Sequence, residues 1–284
     1  MSKNLDLIKN DPYFNNFIKR NNLSDVFVED HIGKFIRVYK SRSLCNGCSS
    51  LNSCGQACKG ERLDLTYDGV LIDEVEYCDY ALNRLKKQNL TKSYAYCDIP
   101  ESLINIDLNN VNYTDEQKDL YLRLCAVLHK KSDKGLYVVG DLGVGKTYLC
   151  AALANSLVKN GERVAFVKVS NFFNEMKSYI NNKNDLMDKN MNALMKSTYL
   201  FLDDIGSETV SEFVRDDILF RVLDYRLENK LVTFFTSNLN KKDLMDHYTY
   251  DRKDNSNLMN AKRLMERIDI LADDFVLSGK NMRR

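Results

Sequence analysis

Residues 135–147 read Gly135-Leu-Tyr-Val-Val-Gly140-Asp-Leu-Gly143-Val-Gly145-Lys146-Thr147. The last eight fit the pattern G-x4-G-K-[ST]. An apolar run of β character (Leu136 to Val139) precedes them, and a helix-forming run, TYLCAALANSLVKN, follows. A phosphate-binding loop needs this strand–loop–helix context. The glycines let successive backbone N–H groups converge on phosphate oxygens, and the helix N-terminus adds partial positive charge. The spacing predicts that residues Gly140, Asp141, Leu142, Gly143, Val144, Gly145, Lys146, Thr147 and Tyr148 cradle a nucleotide. Lys146 reaches the β- and γ-phosphates of ATP, and Thr147 ligates Mg²⁺.

Outward from this loop, short apolar runs alternate with longer helical ones, the signature of βαβ units and a parallel sheet. Five strands are expected: 136–139, 164–167, 199–202, 232–236 and 275–277. Helices are expected to begin near Gly145, Phe172, Ser211 and Lys262. The third strand ends in Asp203-Asp204. Unpaired carboxylates are costly to bury, so this pair is expected at the carboxyl edge of the sheet, where α/β folds bind ligands. There Asp203 completes the Mg²⁺ site and Asp204 orients or deprotonates the attacking water. The fourth strand ends in Thr236-Ser237-Asn238, and Asn238 can set an amide beside the γ-phosphate. Arg263 and Arg267 stand four apart on one helix face. One of them can act in trans on a neighbouring subunit's nucleotide, which makes self-association part of the expectation.

The chain has 284 residues, 44% of them apolar, enough for one sizeable domain and a smaller one. Its 41 basic and 40 acidic side chains nearly cancel, which excludes a bulk polycation for nucleic acid or membrane. No signal peptide is legible, and no window approaches the roughly 18 consecutive apolar residues of a membrane span. A cytoplasmic address is expected. Residues 1–43 carry apolar positions at helical spacing (Phe14, Phe17, Ile18; Ile32, Phe35, Ile36, Tyr39). A small ribbon is expected between Cys45 and Cys78, then a helix from Ala81 to Gln88. Pro100 disfavours helix at Ile99 and places a boundary there. The expected domains are 1–90, a linker at 91–100, and 101–284.

Five of the eight cysteines, at 45, 48, 54, 58 and 78, lie within 34 residues. A C-x2-C pair followed by a later pair is the usual spacing of a tetrahedral Zn²⁺ site, and a module too small for its own core gains folding energy from a metal. Cys45, Cys48 and Cys78 are the expected ligands; the fourth is one of Cys54 and Cys58. Cys97, Cys125 and Cys150 stand alone and read as small hydrophobes.

The segments GLYVVGDLGVGKT, LFLDDIGSE, VRDD, TFFTSN, AKRLMERI and the ending GKNMRR together resemble the DnaI and DnaC helicase loaders, AAA+ ATPases related to the replication initiator DnaA. The resemblance spans most of the chain, including the cysteine module. It implies an AAA+ P-loop fold preceded by a small, mostly helical, zinc-binding N-terminal domain that docks on the hexameric replicative DNA helicase. It also implies ATP used as a switch while the helicase is placed on single-stranded DNA. The loop, the double-acid strand and the TSN segment correspond to Walker A, Walker B and sensor 1; Arg267 corresponds to the arginine finger and Arg283 to the second sensor. This sequence departs from the family by lacking a His between Cys48 and Cys78, where the resemblance implies that Cys58 substitutes, with Cys54 as its alternate. It departs from the wider AAA+ pattern by carrying Asp204 in place of Glu, one methylene shorter, which implies slow, timer-like hydrolysis. An IstB-type transposition ATPase and a P-loop kinase for small molecules are the competing readings. The cysteine module argues against the first, and the paired arginines argue against the second. Lys280, Arg283 and Arg284 cluster at the C-terminus. Phe172 and Phe173, possible stacking surfaces for DNA, read better as the apolar face of a helix.

Overall fold

The computed structural model describes residues 3–179, 185–249 and 255–282. The chain forms two compact units, Met1–Gln88 and Asn89–Arg284.

In the first unit, four helices precede a two-stranded ribbon: α1 (Lys3–Asn10), α2 (Pro12–Arg20), α3 (Asp25–Asp30) and α4 (Ile32–Ser43), then β1 (Glu61–Tyr67) and β2 (Leu71–Tyr77). The sequence dictates the starts of two helices. Asp11 caps α2, its carboxylate accepting from the N–H groups of Tyr13 and Phe14, with Pro12 at the first helical position; Ser24 caps α3 through Phe27 N–H. Asp11→Ala is expected to cost about 1 kcal/mol of this unit's stability, read as a lower denaturation midpoint. The ribbon is antiparallel, in the register Glu61↔Tyr77 to Tyr67↔Leu71, and Gly69 takes the left-handed conformation (φ 77°) that its tight turn requires. Leu5, Ile8, Phe14, Phe35 and Val38 from the helices bury Leu65 and Leu71 of the ribbon.

The placement of the thiols in this unit does not support the zinc expectation. Among the described residues no three His, Cys, Asp or Glu side chains converge on a point that can hold a metal. Local groups bond three of the sulfurs, and Cys48 stands within hydrogen-bond reach of Cys54. Cys45 Sγ accepts from Gln56 Nε2 at 3.3 Å, Cys48 Sγ donates to Ser50 O at 3.3 Å, Cys54 Sγ accepts from Gly60 N–H at 3.4 Å, and Cys58 is exposed. Clustering in sequence has not become a tetrahedron in space, and no role is assigned to zinc.

Helix α5 (Asp79–Ser93) ends shortly before β3 (Tyr96–Cys97), the first strand of the second unit. There follow α6 (Lys118–Leu128), β4 (Gly135–Val139), α7 (Lys146–Lys159), β5 (Val164–Lys168), α8 (Val169–Tyr179), α9 (Asp185–Lys196) and β6 (Tyr199–Asp203). A π-helical turn (Phe213–Phe220), α10 (Arg221–Glu228), β7 (Val232–Ser237), α11 (Lys241–Tyr248), α12 (Asn255–Leu271) and β8 (Ala272–Val276) complete it. The sheet has six strands in the order β3-β5-β6-β7-β4-β8, and every pairing is parallel. The expectation of five strands is therefore corrected. The extra strand lies inside the segment read as a linker, where Ala95 and Asp98 N–H donate to Val164 O and Phe166 O at 2.8 Å.

Alternate residues along each strand feed opposite layers. Tyr137, Val167, Leu202 and Phe235 face α8 to α12, whereas Val138, Phe166, Phe201 and Phe234 face α6 and α7. Phe172 and Phe173 are buried in the first layer and offer no stacking surface. Cys150 is buried as a small hydrophobe, while Cys97 and Cys125 are half-buried. Arg226, wholly buried, donates to the carbonyls of Leu194, Ser197 and Val232, and so ties the entries of β6 and β7 together. Among the described residues no helix is long and apolar enough to cross a membrane.

Candidate nucleotide site

Because β4 lies between β7 and β8 and not beside β5, its connection to β5 must cross over β7 and β6. The loop at its carboxyl end therefore opens beside the ends of those two strands, as expected at a topological switch point. Gly143 and Gly145 have φ of 81° and 98°, and the loop turns directly into α7.

Lys146, almost fully buried, directs its ammonium to Gly140 O (2.7 Å), Asp141 O (2.9 Å) and Asn238 Oδ1 (2.8 Å). The same Asn238 amide donates through Nδ2 to Asp204 Oδ1 at 3.2 Å. Thr147 and Thr236 hydroxyls each donate to Asp203 Oδ1 at 2.7 Å. Burial, above all, raises the Asp203 carboxyl above its ordinary range, and Asp204 adds to the shift, while the two threonines oppose it. Asp204 adopts a left-handed backbone (φ 61°), unusual for a non-glycine residue. Two contacts hold its turn: Asp204 N–H donates to Thr236 Oγ1 at 2.9 Å, and Gly206 N–H donates to the Glu208 carboxylate at 2.8 Å. The buried Tyr248 hydroxyl also reaches that carboxylate.

These groups line one cavity of about 650 Å³, a size suited to a nucleotide-scale ligand. Leu142, Gly143, Gly145, Lys146, Thr147, Tyr148, Asp203, Asp204 and Asn238 are the expected residues that line it; Gly140 and Asp141 contribute the carbonyls that receive Lys146. Arg267 lies elsewhere, on α12. With Arg263 it flanks the Phe220 ring, each guanidinium 4.8 Å from the centroid, and it pairs with Asp224 at 3.2 Å. Arg283 and Arg284 lie outside the described residues.

Sequence reading missed the opposite wall, built by Asp98, Pro100, Ser102, Leu103 and Asn112, and also Lys168, Thr236 and Met282. Polar residues on α7 position that wall. Asn155 accepts from Tyr94 OH at 2.7 Å and donates to Leu103 O and Ile106 O, and Ser156 Oγ accepts from Leu108 N–H at 2.9 Å. Asparagine and serine inside a buried helix are the one signal that could have pointed to a docked segment. Asp98 accepts from Lys168 N–H at 3.2 Å, and burial pushes its carboxyl up to about 6. A carboxyl raised in the folded state destabilises the fold once ionised. Its penalty is absent below the unfolded value near pH 4 and is fully present above about pH 6. Asp98→Asn is therefore expected to gain stability relative to the wild type as pH rises from 4 to 6, measured as the difference in their thermal midpoints.

Thr147 and Asp203 offer a hydroxyl and a carboxylate side by side. That suits Mg²⁺, which takes one or two protein oxygens and completes its shell with water and phosphate.

The family model described as IstB-like ATP binding protein matches residues 54–272. The replicative helicase loader DnaI of Bacillus subtilis is 30% identical over 94% of this chain and 88% of its own. The chain belongs to the family of the replicative helicase loaders DnaI and DnaC. Its likeness to the Escherichia coli loader DnaC is confined to 105 residues, 29% identical, covering 37% of this chain and 42% of that protein. A DnaI crystal structure superposes with a TM-score of 0.57 at 32% identity, covering 69% of this chain and all of that one. The parallel-sheet unit is thus the AAA+ P-loop fold of this family. The DnaI likeness also runs through the N-terminal unit, most of which lies ahead of the IstB-like match.

Proposed function

We propose that this protein is an ATP-dependent loader that binds the replicative DNA helicase in the cytoplasm and helps place it on single-stranded DNA. The observation that carries the nucleotide half of this reading is the Asn238 amide, which joins Lys146 to Asp204 across the mouth of the phosphate loop. One side chain there touches both the cation that binds phosphate and the acid that addresses water, so occupancy of the cavity and the poise of Asp204 are linked. The loader half is supported by the match to DnaI through both units.

In this reading the loop N–H groups and Lys146 hold the phosphates of ATP, and Thr147 and Asp203 hold Mg²⁺, which neutralises phosphate charge when bound. Asp204 orients and deprotonates the attacking water. Its short side chain, tied to Asn238, suits slow, switch-like hydrolysis. Arg267 acts on the nucleotide of a neighbouring copy after releasing Asp224, and Arg283 adds a second contact to phosphate. The N-terminal unit docks on the helicase.

Affinity capture of the full chain from its native cytosol, followed by mass spectrometry, tests the assignment. Recovery of the replicative helicase is expected, and recovery of a transposase without helicase would replace the loader with the IstB-type reading.

A further inference from the structure

A phosphate loop works by turning peptide N–H groups inward. In a trans peptide the carbonyl then points the opposite way, out of the cradle. Among the described residues no peptide bond is cis. Carbonyls turned away from the cavity beside the buried Val144 need donors of their own, and two come from segments outside the motif. Gln117 Nε2 donates to Val144 O at 2.8 Å, and Met282 N–H donates to Gly143 O at 3.1 Å.

Gln117 lies just before α6 and is almost wholly buried, at 2% exposure. Its orientation is fixed from behind, because its Oε1 accepts from Thr114 N–H at 3.0 Å, which leaves the NH2 end facing the loop. The amide sits so close that a Cβ on Gly145 would fall 2.3 Å from Nε2. Glycine at 145 thus makes room for Gln117. On the tail side, a Cβ on Gly143 would fall 2.1 Å from Asn281 Oδ1.

We infer that Gln117 is a positioning residue for the phosphate loop: by holding Val144 C=O outward it aims Gly145 N–H into the phosphate cradle, and the tail backbone at Met282 does the same for Val144 N–H. Gln117 touches no reacting atom; it acts through the peptide plane. The inference rests on the nucleotide reading of the cavity.

The test compares the affinities of the full chain for ATP and for AMP, both with Mg²⁺, in the wild type, Gln117→Glu and Gln117→Met. Glutamate keeps the acceptor for Thr114 and sets a carboxylate against Val144 O. Methionine keeps length and burial and removes the donor, so it stays informative if the buried charge prevents folding. The ATP-to-AMP affinity ratio is expected to fall about tenfold or more in either folded variant, with AMP affinity little changed. A role confined to packing lowers the thermal midpoint and leaves the ratio as it was. Wild-type ATP preference with an unchanged ratio in Gln117→Met overturns the inference alone. A wild type with no preference for ATP overturns the nucleotide reading and the inference with it.

Discussion

Lys146→Ala is expected to weaken ATP binding at least about 100-fold, or about 2.8 kcal/mol, as measured by calorimetry. The ammonium is held at 8% exposure in the loop, by two loop carbonyls and Asn238. A cation fixed where water is largely excluded acts on phosphate at a low effective dielectric, so its removal costs far more than loss of a surface charge. The fold should tolerate the change, since alanine favours a helix and leaves no buried charge behind. A wild-type thermal midpoint without nucleotide, and the loss of any rise in that midpoint on adding ATP, would separate a binding defect from misfolding.

Asp204→Asn should act on turnover and not on binding. Asparagine keeps the shape and an oxygen for Asn238 Nδ2, but it cannot take a proton from water. Positioned general bases contribute about 10²–10⁴-fold, so kcat for ATP is expected to fall at least about 100-fold with ATP affinity within a few-fold of wild type. The same substitution at Asp203 should instead impair the Mg²⁺ dependence of binding, because Asp203 Oδ1 is bound by Thr147 and Thr236 and not by Asn238. A matched loss of affinity in both variants would remove the distinction drawn between the two acids.

What could be read from the chain was what short-range chemistry encodes. The glycines, lysine and threonine at 140–147 and the paired acids at 203–204 announce themselves because phosphate and metal demand particular residue types at fixed local spacing. The parallel α/β class followed from alternating strand and helix periods. The contacts that tie the site together were not legible, because they join distant segments: Asp98 and Gln117 carry no motif, Met282 sits in the GKNMRR ending with no chemistry of its own to announce it, and all three come to the loop or its cavity only through packing. Strand β3 was hidden because two residues after a charged helix carry no periodicity, and only pairing with β5 makes them a strand. Asn155 and Ser156, hydrophilic on an otherwise apolar helix, were the overlooked clue to the segment docked there. The cysteines ran the other way: closeness in sequence suggested a shared metal, while among the described residues no three possible ligands converge.

The central claim is that nucleotide held at Lys146 governs the loading of a helicase. Transfer of the cognate replicative helicase onto circular single-stranded DNA, measured with Mg²⁺-ATP for the wild type and for Lys146→Ala, tests it most directly. ATP-dependent loading by the wild type, with Lys146→Ala reduced to the level seen without loader, is the predicted result. Loading by Lys146→Ala as efficient as that by the wild type would contradict it.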